Sequence, residues 1–225
     1  MIRRNKRSKM TVLMSFFFLF YGLLFFSSGI EAYQSPAMQM FAAIFVSGGF
    51  LFMFGQFVPS WDSAYYPLMM SQNIPYRDYI ASKWWLIVIG TIVSMILSVF
   101  YIYYGFNVYL SILAGAVYNI GVNSHLVLLG GAFTKTPVDL ASSKQAFGDK
   151  KAFNVKTLLL SIPKLLLPMA LYSIGYYFIG HNAGVAFVAG AGILGFALRN
   201  KVFSVIEKVY KTQKYSALEA YSQKN

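Results

Sequence analysis

PSWDSAYYPLMMSQNIPYRDYIASK, residues 59–83, is the one long polar, aromatic-rich interruption in the front half of an otherwise apolar chain. An apolar run precedes it and another follows, which makes it a loop held at a membrane surface. Its second half carries a helix start. Pro75 fits a first helical position, where a missing N–H costs nothing, and Asp78 falls near the positive end of the helix dipole. That helix runs straight into the apolar run beginning at Trp84. The first half, Ser60 to Gln72, fits a short interfacial helix with Ser60 as its cap and Pro67 as a kink or divide. Read alone, the segment is either a plain linker or a rigid surface element that receives a push from a soluble partner.

The composition around it sets the class. Of 225 residues, 57% are hydrophobic and 12% charged, against about 25% charged in a soluble domain. Mean hydropathy is +0.55, and lipid is the expected solvent. Aromatics make up 18%, a level that suits rings placed at headgroup depth. There is no cysteine, hence no disulfide framework, no thiolate nucleophile and no Cys-based metal site. A net charge of +12 raises the question of nucleic acid. The charges lie outside the apolar runs, where anionic headgroups meet them, so membrane lipid is the expected partner and nucleic acid is not.

Six runs are long enough to read as spans, giving an all-α polytopic membrane protein: about 10–30, 37–58, 84–104, 107–133, 157–179 and 183–198. A run of about 20 residues crosses a hydrocarbon core of about 30 Å at about 1.5 Å per residue. The first follows a basic head, MIRRNKRSK, yet is longer than a signal peptide's core and lacks a small-x-small cleavage site. Trp84 and Trp85 begin the third span and Tyr101, Tyr103 and Tyr104 end it, as aromatic anchors at the two interfaces. Gly48, Gly49 and Gly55 in the second span, and Gly184, Gly190, Gly192 and Gly195 in the sixth, permit close helix contact. Pro163 and Pro168 interrupt the fifth span, where Lys164 is expected to snorkel to the nearer surface. The tail, 199–225, places Val202, Val205, Ile206 and Val209 at helical spacing among lysines, a basic amphipathic helix read as a lipid-facing stripe on the membrane face in preference to a docking helix.

Lys and Arg fix the orientation. The head has five, the loop 59–83 two, the loop 134–156 five and the tail six, with Lys164 the remaining one. The alternate turns 31–36, 105–106 and 180–182 have none. The positive-inside rule puts both termini and both long loops in the cytoplasm.

Catalytic patterns are missing. Gly130 to Lys135 fails the spacing of a phosphate-binding loop. His125 and His181 are far apart with no acid beside either, so neither a triad nor a zinc site is expected. No span holds the Asp or Glu that a proton-driven carrier places at mid-membrane. The chain is therefore read as neither an enzyme nor a cofactor-binding protein. The fourth span carries Asn119, Asn123, Ser124 and His125. These form either a substrate-facing or gating patch or, as we favour, groups hydrogen-bonded between helices.

Six spans, cytoplasmic ends and a structured inner loop between spans two and three resemble the membrane subunit of an ABC-2 type exporter. In that family the loop holds a coupling helix seated on an ATP-binding cassette subunit. Here Trp61-Asp62-Ser63 stands for the helix start, Leu68-Met69 for its leucine pair, Ile74-Pro75 for the turn and Lys83 for the lysine opening the next span. A more detailed likeness is to an uncharacterised group of bacterial ABC-exporter permeases, a domain of unknown function. Ile2 to Arg7, Gly55-Gln56-Phe57, Ser60 to Ser63 and Arg77 to Lys83 match its stretches. That likeness covers Met1 to about Lys164, and the remainder agrees in topology. Members of that group are longer, which makes this chain look like a C-terminal half or a truncated gene product.

The resemblance implies a bacterial inner-membrane permease whose partner subunit binds the ATP. It also implies a homodimer, or pairing with another permease half. Trp61, Tyr65, Tyr66 and Leu68 would fill a groove on the ATPase, with Asp62 and Lys83 in the motif and Arg77 and Asp78 as rim charges. The rival reading is a stand-alone membrane scaffold or small channel with no ATPase partner.

Overall fold

In hydrocarbon each backbone N–H and C=O has to find its partner inside the chain, so charge-free runs fold as helices. The computed structural model describes residues 5–138, 140 and 155–222, with side chains described from Leu159 onward in the last block. Among these residues every regular element is helical. The predicted positions of Arg3, Arg4, Lys144, Lys150, Lys151 and Lys224, and the side chain of Lys156, lie outside the described residues.

Helix α1 (Lys6–Tyr21) continues past Gly22 as α2 (Leu23–Phe26). A short α3 (Glu31–Gln34) leads into α4 (Pro36–Phe50), which has Pro36 in its first turn and ends in a π-helical stretch, Leu51–Gly55. The loop follows, with a 3-10 turn at Ser60–Asp62 and α5 (Tyr66–Ser71). Pro67 sits in the first turn of α5 and so divides the segment, as expected. Helix α6 (Tyr76–Leu97) starts immediately after Pro75 with Asp78 in its first turn, and it passes into a 3-10 stretch, Ser98–Tyr104. The fourth span is α7 (Phe106–Tyr118), a π-helical turn at Asn119–Asn123, and α8 (Ser124–Gly131). Helix α9 (Val155–Phe178), α10 (His181–Ala197) and α11 (Arg199–Ser222) complete the chain. Gly105 at φ +126° and Gly180 at φ +133° make the tight reversals before α7 and α10, a conformation glycine adopts without steric cost.

Five helices are long and apolar enough to cross a membrane, or six if α10 is taken with α11, from which it bends by 65°. Spans two and four are the inner ones: 56% and 67% of their apolar windows are buried, against 22–28% for the other three. The outer spans turn Phe17, Leu24, Ile89, Ile96 and Leu166 outward, as lipid-facing helices do. Gly121 and Gly192 bring α10 against the fourth span so closely that a Cβ on Gly121 would lie 1.8 Å from the Gly192 carbonyl oxygen. The small residues of α10 therefore serve a contact within this chain, though a Cβ on Gly190 would meet open space.

Three expectations about interfaces are corrected. Trp84 is not a surface anchor: it is 2% exposed, and its indole N–H donates to Ser124 Oγ at 2.9 Å, while Trp85 faces outward. Tyr101 is fully buried and donates to the Leu19 carbonyl at 2.9 Å, leaving Tyr103 and Tyr104 as the outward rings. Lys164 is buried rather than snorkelling, beside Gln56, Ser161 and Phe52 at a small cavity.

Candidate functional site

Four chain segments converge at one end of the bundle, held by hydrogen bonds across long sequence separations. Ser60 Oγ donates to the Thr134 carbonyl at 3.0 Å rather than capping a helix, and the Val138 N–H donates back to the Ser60 carbonyl. The Tyr221 hydroxyl, from the last turn of α11, lies 3.2 Å from the same Thr134 carbonyl and 3.3 Å from Ser60 Oγ. At the start of α1, the Arg7 N–H donates to the Leu140 carbonyl. The first helix, the loop after span two, the stretch after α8 and the tail thus meet at one place.

The Trp-Asp-Ser turn is packed into this junction. Trp61 is 6% exposed, stacks on Phe54 at 5.7 Å and donates its indole N–H to the Phe54 carbonyl at 3.0 Å. Asp62 Oδ2 accepts from Lys83 Nζ at 2.6 Å and from the Tyr79 hydroxyl at 2.8 Å. The Lys83 ammonium also lies over the Tyr79 ring, 5.3 Å from its centre. Ion pairing and ring contact together tie the start of the loop to the start of span three. Tyr66, at 2% exposed, packs edge-on against Tyr221 and shares a hydrogen bond with Tyr76 at 3.2 Å. Burial pushes the Tyr66 hydroxyl well above the usual tyrosine range, and its bond to Tyr76 adds to the shift. Tyr221 is pushed up to about 12, again chiefly by burial. Both hydroxyls thus stay protonated, and able to donate, further into the alkaline range than an exposed tyrosine does.

This corrects the expectation for two residues. Trp61 and Tyr66 were to fill a groove on a partner, yet they already lie in this chain's own core, Trp61 against Phe54 and Phe57 and Tyr66 against Tyr221 of α11. Asp62 is likewise mostly covered. Tyr65 and Leu68, each 56% exposed, and the exposed Arg77 and Asp78 are what the segment offers outward. Arg77 Nη2 donates to Asn200 Oδ1 at 3.3 Å, so this surface is continuous with the tail.

The tail is a docking helix rather than a lipid-facing stripe, because its apolar face packs on the protein. Its buried face is Phe203, Ile206, Tyr210 and Ala217, with Val202 and Val209 packed at the margin and Val205 mostly exposed. Tyr210 shares its hydroxyl proton between the Val58 and Leu128 carbonyls, at 3.2 and 3.0 Å. Counting Phe203, Tyr210 and Tyr221 with the aliphatic residues shows the same face in the sequence; the aliphatic residues alone point it about one position away.

Asn119, Asn123 and Ser124 of the fourth span bond between helices, whereas His125 bonds only within its own span. Asn119 Nδ2 donates to the Ile44 carbonyl and to Ser47 Oγ, both at 2.9 Å. Asn123 Nδ2 lies 2.7 Å from Asn119 Oδ1 and 3.1 Å from the Lys164 carbonyl. His125 Nδ1 lies 2.8 Å from the Gly121 carbonyl, and its ring sits against Trp84 and Phe203. Among the described residues no cluster of His and acidic side chains could hold a metal ion.

The model of one protein family, described as a family of unknown function (DUF5687), matches residues 1–224. No curated protein and no solved structure matches the chain.

Proposed function

Since the chain belongs to this family of unknown function, we propose a role from its own residues: it is the transmembrane permease subunit of an ATP-driven exporter, moved through the loop 59–83 by a separate ATPase subunit. The observation that carries this reading is the braced loop. A segment that transmits force has to be stiff and fastened to the helices it moves. Residues 59–72 are fastened to span three through Asp62, Lys83 and Tyr79, and to the tail through Tyr66 and Tyr221. They leave Tyr65 and Leu68 outward at the centre, with Arg77 and Asp78 at the rim.

In this reading the braced end faces the cytoplasm of a bacterium, and both termini lie there with it. ATP binds to the partner, not to this chain. A second copy, or another permease half, supplies the other wall of the pathway. Closure of the ATPase pushes the loop and rocks the bundle between inward-open and outward-open states.

The test is affinity isolation from membranes. An ATP-hydrolysing protein is expected to co-purify, and Tyr65→Ala or Leu68→Asp to lower its recovery about tenfold, as truncation of a central interface contact does. Isolation of the chain with no ATPase, together with ion conductance by the purified protein in liposomes, would overturn the reading in favour of a stand-alone channel.

A further inference from the structure

A trough runs between α1 and α6 on the outside of the bundle. Its apolar half is a cavity of about 300 Å³ lined by Val12, Leu19, Phe50, Leu86, Val93 and Leu97, among others. Its other half, about 470 Å³, shares Val12, Phe50 and Leu86 with the first and ends at Ser8, Thr11, Asp62 and Lys83. Phe16, Leu86, Ile89 and Val93 on the walls are exposed, so the trough opens sideways onto the hydrocarbon.

Its dimensions follow the bilayer. Lys83 and Leu97 lie fourteen residues apart on one helix, about 21 Å at about 1.5 Å per residue. One leaflet of a core about 30 Å thick is about 15 Å deep, so the trough takes an acyl chain from headgroup level to beyond the midplane. The polar end lies where the chain leaves the membrane for the loop. There the Asp62 carboxylate and the Lys83 ammonium stand side by side, with side chains 13% and 19% exposed. Both contacts described for Asp62 are made through Oδ2, and an ammonium has three donors. A pair of opposite charges at the mouth of an apolar trough complements a headgroup that also carries one charge of each sign. An anionic headgroup meets the carboxylate at a cost that a zwitterion avoids.

We propose that the α1–α6 trough is a lipid site for a zwitterionic phospholipid bearing a free ammonium. The acyl chain lies along Val12, Phe50 and Val93, the phosphate meets Lys83 and the ammonium meets Asp62. The site needs only that these helices lie in a bilayer, and it holds whether or not an ATPase docks on the loop.

Native mass spectrometry of the full chain in mild detergent tests it, with added phosphatidylethanolamine or phosphatidylglycerol as probes. The wild-type chain is expected to retain phosphatidylethanolamine about fivefold better, the scale of one partly solvated charge contact. The paired substitution Asp62→Asn with Lys83→Met is expected to erase that preference. Ser94→Trp fills the apolar half without touching the ion pair, and is expected to lower retention of both lipids at unchanged helix content. This second variant reads the site even if the paired substitution fails to fold. Equal retention of the two lipids by the wild type overturns the proposal, as does retention unaffected by Ser94→Trp. Loss of a dimer by Ser94→Trp with lipid retention intact would also overturn it, assigning the trough to a second copy.

Discussion

Pro168 has no N–H to offer the carbonyl four residues earlier, which belongs to Lys164 in the middle of a helix. Asn123 supplies the missing donor from the fourth span, at 3.1 Å. A polar side chain inside an apolar span is thereby explained without a substrate. It answers a vacancy that proline created in a neighbouring helix. The sequence offered both halves of this pair, since Asn123 and Pro168 are visible in it, but which helix faces which is a tertiary fact that spacing along one helix does not contain. The prediction is a double-mutant cycle. Asn123→Leu is expected to destabilise the fold by about 1–2 kcal/mol, more than the ~0.6 kcal/mol of an average interhelical bond, because it strands a buried acceptor. Pro168→Ala restores an N–H, so adding it to Asn123→Leu is expected to recover about half that loss, read by detergent-titrated unfolding followed by circular dichroism. Strictly additive effects of the two substitutions would show that the Asn123 bond and the proline gap are unrelated.

Helix α11 shows why an element's face is harder to read than its existence. Its helical spacing and basic character were plain in the sequence, and the structure has a helix there. Its partner was not plain: a stripe of valines among lysines suits a lipid surface and a protein groove equally. The tyrosines decide between them. Tyr210 and Tyr221 each place a hydroxyl on backbone carbonyls of the loop end, and a ring buried beside a specific acceptor identifies a packed face where valine does not. The same ambiguity hid the role of Trp61, whose aromatic, surface-like context turns inward onto Phe54 and Phe57. Tyr210→Phe keeps the ring and removes the hydroxyl, leaving the Val58 and Leu128 carbonyls without this donor. The expected result is a loss of about 1–2 kcal/mol, with faster hydrogen exchange at residues 58–62 and in α11 and little change in α7. Uniform acceleration through every span would mean that α11 is no separate brace on the loop but part of one cooperative core.

For the whole molecule, five of the six expected spans and their order were legible because largely apolar runs of about 20 residues have one solution in hydrocarbon. The run 183–198 becomes long enough only when α10 is taken with α11, from which it bends by 65°. The convergence of four segments was legible only through charge. The segments carrying Lys and Arg, read as one side of the membrane, include the α1 start, the loop 59–83 and the tail, which the structure brings together through Leu140, Thr134 and Tyr221. The three turns without Lys or Arg fall at the other ends of the helices. Each Lys or Arg near an anionic leaflet contributes about 1 kcal/mol, so the expected orientation, with this end at the anionic leaflet, is favoured over its reverse by far more than any single contact described here. The sequence contains no cysteine, which makes this orientation directly testable with single introduced thiols. Leu68→Cys and Tyr215→Cys lie at the braced end, and Tyr103→Cys and Phe178→Cys at the opposite end; all four parent side chains are exposed. A membrane-impermeant maleimide applied to intact cells is expected to label the thiols at 103 and 178 and to reach those at 68 and 215 only after permeabilisation. The reverse pattern would place the loop 59–83 outside, out of reach of any ATP-hydrolysing partner, and would end the exporter reading while leaving the helical fold and its lipid trough in place.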